Sequence, residues 1–248
     1  MFWSGSLGED PFLTATYVAA WIKGVQALKG PGGVPLAGSS CKHFMAYSFE
    51  GGPTELNTAT GERSVPPGYS ELSRHNHNAI IDTRDMSDTY LPAFESCARS
   101  GAMGLMCSYN QVNATPSCGN KAFETDLMRD KWGFDGVIVT DCDSIADMYY
   151  LQHWKSTPEE TVRSALEAGT DISCGFKFLQ DHTTGDMLPL LQNAVRRALR
   201  VRFRLGEFDP PSKEGRFSLP SGLSLAREAA QQSVVLLKNA EETLPLKR

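Results

Sequence analysis

Between Lys131 and Ser144 the chain reads KWGFDGVIVTDCDS, in which a Val/Ile run from Gly136 to Thr140 stops abruptly on Asp141, Cys142 and Asp143. A continuous run of this kind is the pattern of a strand covered on both faces, as found in parallel sheets flanked by helices. Strands of that type deliver functional side chains where they end, at the carboxyl edge of the sheet. Asp141 is therefore the first candidate for chemistry. The competing explanation is that it caps the next turn or pairs with a buried cation.

The remainder of the chain alternates as such a sheet requires. Asp10-Pro11 supplies a helix cap and a proline at the first helical position, and Leu13, Tyr17, Ala20, Trp21, Gly24, Val25 and Leu28 then recur at helical spacing. Val34 to Gly38 leads into Cys41-Lys42-His43-Phe44 as a strand, and residues 50–70, rich in Gly, Pro, Thr and Ser, read as a loop. Further on, the pattern predicts a helix over 85–98, a strand over 103–108, a helix over 121–131, a strand over 137–141, a helix over 158–168 and a short strand over 171–174. A helix from 187 to about 205 carries Leu191, Val195, Ala198 and Val201 on one stripe. This is an α/β alternation with parallel strands.

The domain reading is an α/β unit over 1–208, a Pro-rich linker over 209–221 and the start of a second α/β domain over 222–248, with a helix at 223–233 and a strand at 234–239. About four strand–helix units precede the linker, whereas a closed (β/α) barrel has eight. The expectation is a partial barrel, cut at both ends, with open edges that favour aggregation of the isolated chain.

At 248 residues with 41% hydrophobic content the chain can bury a sizeable core. A net charge of −5 without any Lys/Arg run argues against nucleic acid or an anionic membrane as partner and suits a neutral ligand such as a sugar. The opening MFWSGSLGEDPF lacks the basic and apolar regions of a signal peptide, and no run is long enough to span a bilayer. Six cysteines without paired CxxC spacing leave disulfides or buried free thiols. His75 and His77 would share one face if extended, but no further ligand is spaced to complete a metal site, and neither metal nor cofactor is expected.

Six motifs together are more specific than any one: GEDP at 8–11, CKHF at 41–44, MCSYNQVN at 106–113, GFDGVIVTDCDS at 133–144, AGTDISCG at 168–175 and RFRLGEFD at 202–209. In this order and spacing they resemble the N-terminal domain of glycoside hydrolase family 3 over nearly the whole chain. The resemblance implies the C-terminal part of a TIM-type (β/α) barrel followed by the start of an α/β sandwich domain. It implies a retaining, exo-acting hydrolase of β-linked sugars with Asp141 as nucleophile, no cofactor, an oligosaccharide substrate and an extracellular or cell-wall location. Cys142, where glucosidase-like members usually carry Trp, marks the β-xylosidase and arabinofuranosidase branch. The family's acid/base, a Glu from the second domain or its loops, has no counterpart here, and Asp135, Asp143 and Asp171 match no acid/base motif.

Carried over residue by residue, the same resemblance assigns Lys42 and His43 to the glycone, where a cation and an imidazole can bind adjacent hydroxyls. It assigns Arg74, through SRHNHNA, and Tyr109, in MCSYNQVN, to the sugar subsite. Taken alone, Lys42 and Arg74 would read as surface cations, His43 as a core imidazole and Tyr109 as a half-buried ring. Cys142 and Cys174 each close a strand, and neighbouring barrel strands bring such ends within reach of one disulfide; two small buried hydrophobes is the alternative. Cys107 and Cys118 flank one loop and can also pair.

The chain departs from the family in MFWSGSL, which lacks the Arg and Glu that normally precede GEDP, and at Ala114, inside the sequon Asn113-Ala114-Thr115, where Gly is usual. A rival reading is a catalytically inactive fragment or pseudoenzyme that at most binds sugar or protein. An aldolase or lyase barrel would need a Schiff-base Lys or a phosphate-binding Gly loop, and neither is evident.

Overall fold

The computed structural model describes residues 2–3, 8–52, 54–57, 62–67, 72–209, 219–240 and 243–246. They fall into two compact units, Met1–Asp209 and Pro210–Arg248.

In the first unit four strands, β1 (Phe2–Trp3), β2 (Ser40–Phe44), β3 (Gly104–Cys107) and β4 (Val137–Thr140), lie side by side in chain order. Every pairing is parallel, so each connection must cross over, and helices do the crossing. Helix α1 (Pro11–Ala27) joins β1 to β2, and α2 (Pro92–Arg99) lies on the path from β2 to β3. A π-helix over Ala122–Lys131 joins β3 to β4. After β4 come α3 (Ser144–Tyr150), α4 (Pro158–Ala168) and α5 (Leu188–Arg204). Among the described residues the sheet is open and forms no closed barrel.

The register Cys41 to Leu105 and Leu105 to Ile138 stacks the sheet's inner residues, and Phe44, Leu105 and Ile138 are fully buried with Met128, Ile145 and Met148. Each such side chain contributes roughly 1.5–3 kcal/mol by leaving water. Gly136 admits β4 to this position: a Cβ there would sit 2.4 Å from the carbonyl oxygen of Met103.

Several elements differ from the sequence pattern. Helix α1 forms behind its Asp10 cap, whose carboxylate accepts from Phe12 N–H at 2.8 Å, but its buried face is Thr14, Val18 and Ile22. The expected stripe of Leu13, Tyr17, Trp21 and Leu28 faces solvent. The helix is apolar nearly all round, so the choice of face falls to its neighbour α2, where the Ser96 hydroxyl donates to the Ala15 carbonyl at 2.6 Å. The single helix expected at 85–98 is a turn at Thr83–Asp85, a π-turn at Met86–Tyr90 and then α2, because Pro92 has no N–H to continue the ladder. Residues 171–174 make one bridge, Ile172 to Val139, rather than a strand. The 50–70 loop contains a two-residue hairpin, Glu55–Leu56 with Arg63–Ser64.

The second unit carries α6 (Leu219–Ser233). Val234–Asn239, apolar enough to be read as a strand, runs without a ladder partner among the described residues, and an unpaired segment forms no sheet. The core of the expected linker, 210–218, lies outside the described residues.

Candidate functional site

Asp141 is the first residue beyond β4. Its N–H still donates to the Cys107 carbonyl at 3.0 Å, so the sheet fixes its backbone while its side chain emerges at the carboxyl edge, 14% exposed. One carboxylate oxygen accepts from Cys142 N–H at 2.8 Å, and the other lies 3.4 Å from His43 Nε2.

The turn behind it is built by two motifs at once. Asp143 adopts the left-handed region, φ 65°, which Asp tolerates, and donates its N–H to the Cys174 carbonyl at 2.7 Å. Its carboxylate accepts from Phe176 N–H. Gly175, φ 112°, is the residue this contact demands, since a Cβ there would stand 2.2 Å from Asp143 Oδ1. Thr140 Oγ1 accepts from Cys174 N–H at 3.0 Å, and Cys142 and Cys174 are joined by a disulfide. VTDCDS and SCG are thus one structural unit.

The other four candidates come from different parts of the sheet and its loops. Lys42 and His43 lie in β2, both half-buried. Burial lowers the His43 pKa below 6.5, against an opposing pull from Asp141, so at neutral pH the imidazole is uncharged. Tyr109 follows β3 and is 8% exposed. Burial, then the charge of Asp141 and a hydrogen bond to it, push its hydroxyl pKa far up, which keeps it a proton donor toward that carboxylate.

Arg74 is partly exposed but held by three partners. Its Cζ lies 5.2 Å over the Tyr109 ring, its Nη1 is 3.1 Å from Glu50 Oε2, and its Nε donates to His75 Nε2 at 3.2 Å. Glu50 also accepts from the Tyr47 hydroxyl at 2.8 Å, a bond that lowers the Glu50 pKa, while burial first and this bond second push Tyr47 up to about 12. The His43 and Tyr47 rings are 5.1 Å apart and those of Tyr47 and Tyr109 6.4 Å. Tyr47, Glu50, Asp147 and Gln152 thus adjoin the site without a sequence signal, two in a loop and Asp147 as one more polar residue of a helix, while His75, which the sequence offers only as half of an HxH pair, adjoins it as well.

His75 and His77 do not act as a pair. The hydrogen-bonded turn at Ser73 bends the segment, His75 buries against Asp147, and the His77 ring lies tilted against Phe49 at 5.0 Å. The other acids are engaged in the fold. Asp135 pairs with Arg204 at 2.7 Å, and Asp171 is fully buried between Arg129, at 2.7 Å, and Arg197. Cys107 bonds to Cys118, and Cys41 to Cys97, so all six cysteines are paired. Asn113 uses its amide to clasp Ile81, accepting from its N–H and donating to its carbonyl, both at 2.9 Å.

Residues 66–183 match the glycosyl hydrolase family 3 N terminal domain. The chain is 36% identical to β-xylosidase/α-L-arabinofuranosidase 2 of Medicago sativa subsp. varia and 35% identical to β-D-xylosidase 1 of Arabidopsis thaliana. Each alignment takes in 96% of this chain but only 31% and 30% of the respective relative. Among solved structures it superposes on a GH3 exo-β-xylosidase (XlnD) bound to a xylobiose aziridine probe, with a TM-score of 0.76 and 28% identity, over 97% of this chain and 31% of that one. It superposes equally, at TM-score 0.76 and 26% identity, on a β-glucosidase from Listeria innocua in complex with gluconolactone, over 96% of this chain and 32% of that one. The chain therefore spans less than a third of the length of these relatives.

Proposed function

The chain belongs to glycoside hydrolase family 3, and on that premise we propose that it carries the nucleophile and part of the sugar subsite of a retaining, exo-acting β-xylosidase-type enzyme. The observation that carries the reading is Asp141: a carboxylate at the end of a parallel strand, backed by a disulfide-closed turn and faced by His43 and Tyr109. In a retaining mechanism one carboxylate attacks the anomeric carbon through an oxocarbenium-like transition state and a carboxylic acid about 5 Å away protonates the departing oxygen. Uncharged His43 and protonated Tyr109 donate toward Asp141 and toward hydroxyls of the bound sugar, holding the nucleophile oriented. Lys42 and Arg74 add cationic donors around the glycone.

Asp135, Asp143 and Asp171 are engaged in holding the fold and are not the acid/base carboxyl in this reading. The four parallel strands are consecutive strands of a (β/α) barrel in this reading, residues 222–248 open a second α/β domain, and xylose-terminated oligosaccharides are the substrate. The Cys142–Cys174 bridge borders the subsite and favours a pentose, which lacks a hydroxymethyl group. Three disulfides fit an extracellular or cell-wall location.

The test is covalent labelling. A 2-fluoro-xyloside with an activated leaving group, given to the protein expressed at the length of its relatives, should accumulate as a glycosyl-enzyme on Asp141, because fluorine slows both steps and the leaving group rescues the first. Asp141→Asn should abolish labelling and retain sugar binding. A label on Asp143 or Asp135, or full activity in Asp141→Asn, overturns the assignment.

A further inference from the structure

Behind the ring of Tyr109 lies a polar pair that the proposed chemistry does not use. His75, 2% exposed, places Nδ1 2.6 Å from Oδ2 of Asp147, itself fully buried, and its ring is 4.3 Å from that of Tyr109. Asp147 lies in α3, the helix that starts three residues after Asp141. The same helix is followed by Gln152, whose amide donates to the carbonyls of both His75 and Tyr109, at 2.8 and 2.7 Å, locking the two backbones together.

The proton on this imidazole follows from its partners. A carboxylate only accepts, so Nδ1 carries the hydrogen that Asp147 receives. Arg74 Nε–H only donates, and at 3.2 Å it needs the lone pair of His75 Nε2. A doubly protonated or Nε2–H imidazole would instead point a hydrogen at the guanidinium. Among the described residues, the charged and titratable groups around the assembly are Asp147 from α3, Arg74 beside His75, Tyr109 after β3 with Asp141 against its hydroxyl, and Glu50 and Tyr47 from the loop after β2. The order of contacts runs Asp147 to His75 to Arg74, and from Arg74 both to Glu50 and onto the Tyr109 ring.

We propose that Asp147 and His75 are positioning residues: Asp147 fixes the Nδ1–H tautomer of His75, and the Nε2 lone pair then holds Arg74 over Tyr109, in the orientation the sugar subsite requires. The proposal rests on the reading of Asp141, Tyr109 and Arg74 as that subsite. It adds that the helix following the nucleophile sets the geometry of a cation on a separate loop. Neither residue touches the sugar.

Asp147→Asn is the sharpest probe, since it preserves shape but offers an N–H to Nδ1, driving the proton to Nε2 and turning acceptor into donor. In the chain as it stands, imidazole 15N spectra should show His75 as the neutral Nδ1–H tautomer in wild type and the opposite tautomer in Asp147→Asn, with faster exchange of Arg74 Nε–H. Affinity for a xylose-configured iminosugar, measured by calorimetry, should fall roughly tenfold, the loss of one charge-assisted hydrogen bond. It should not fall further when Asp147→Asn is combined with Arg74→Ala. His75→Gln, whose carbonyl can accept from Arg74, should retain most of the affinity that His75→Phe loses, which keeps the test decisive if Asp147→Asn does not fold.

A wild-type His75 that is Nε2-protonated or charged at neutral pH overturns the proposal, as does an equal loss from Asp147→Asn in the Arg74→Ala background, which would mark a purely structural role. Failure of the wild-type chain to bind the iminosugar would instead count against the sugar subsite, while the tautomer and the exchange of Arg74 Nε–H still decide whether the pair positions Arg74.

Discussion

His43 Nε2 stands 3.4 Å from Asp141 Oδ2, a contact made across β3 between the first and last of three neighbouring strands. The two largest effects on this imidazole oppose each other: burial lowers its pKa, and the carboxylate raises it by less. Removing the carboxylate as Asp141→Asn should therefore lower the His43 pKa further, read from its imidazole protons in an NMR titration. Because the folded value already lies below 6.5, stability is fully present above 6.5 and is lost as pH falls through the folded value. A rise in pKa on Asp141→Asn would contradict the contact.

Glu124 is the opposite case. It is fully buried, touched by the Thr170 hydroxyl at 3.0 Å, and burial pushes its pKa from 4.5 up to about 8. The folded state thus binds a proton that the unfolded state releases above 4.5, so stability should decline between about pH 4.5 and 8 as that proton is lost. Glu124→Gln should flatten the decline and be more stable than wild type at pH 9, measured by urea unfolding across the range.

Asp171 ties three elements together. Its carboxylate takes Arg129 from the π-helix, Arg197 from α5 and the Ile138 N–H of β4 at 2.8 Å, all with no exposure of its own. Arg129→Met leaves a buried charge short of a partner and removes donors from the carbonyls of Gly136 and Gly169. The expected cost is about 3 kcal/mol, measured by urea denaturation.

The three disulfides should be found by mass mapping of non-reduced peptides as Cys41–Cys97, Cys107–Cys118 and Cys142–Cys174. The first spans 56 residues and the second 11. Loop-closure entropy then makes removal of Cys41–Cys97 the costlier by about 1.4 kcal/mol, comparing the two paired Cys→Ser variants.

What the sequence determined by itself was local and periodic. The Val/Ile run set β4 and left Asp141 at its end; Asp10-Pro11 set the start of α1; helix α4 begins and ends where Thr157-Pro158 and Gly169 place it. These follow from short-range chemistry: a cap, a missing N–H, a left-handed residue. The family motifs also carried Lys42, His43, Arg74 and Tyr109 toward one site. Tertiary structure alone decided which face of α1 is buried, because an all-round apolar helix is oriented by what packs on it. It decided that the two histidines of RHNH part company, one to Asp147 and one to Phe49. It also decided that Arg74, still partly exposed, lies over the Tyr109 ring, held by Glu50 and His75. Such pairings form between residues far apart in the chain, where polar side chains lose water and must find partners among whatever the fold brings near. No spacing along the sequence encodes that neighbourhood.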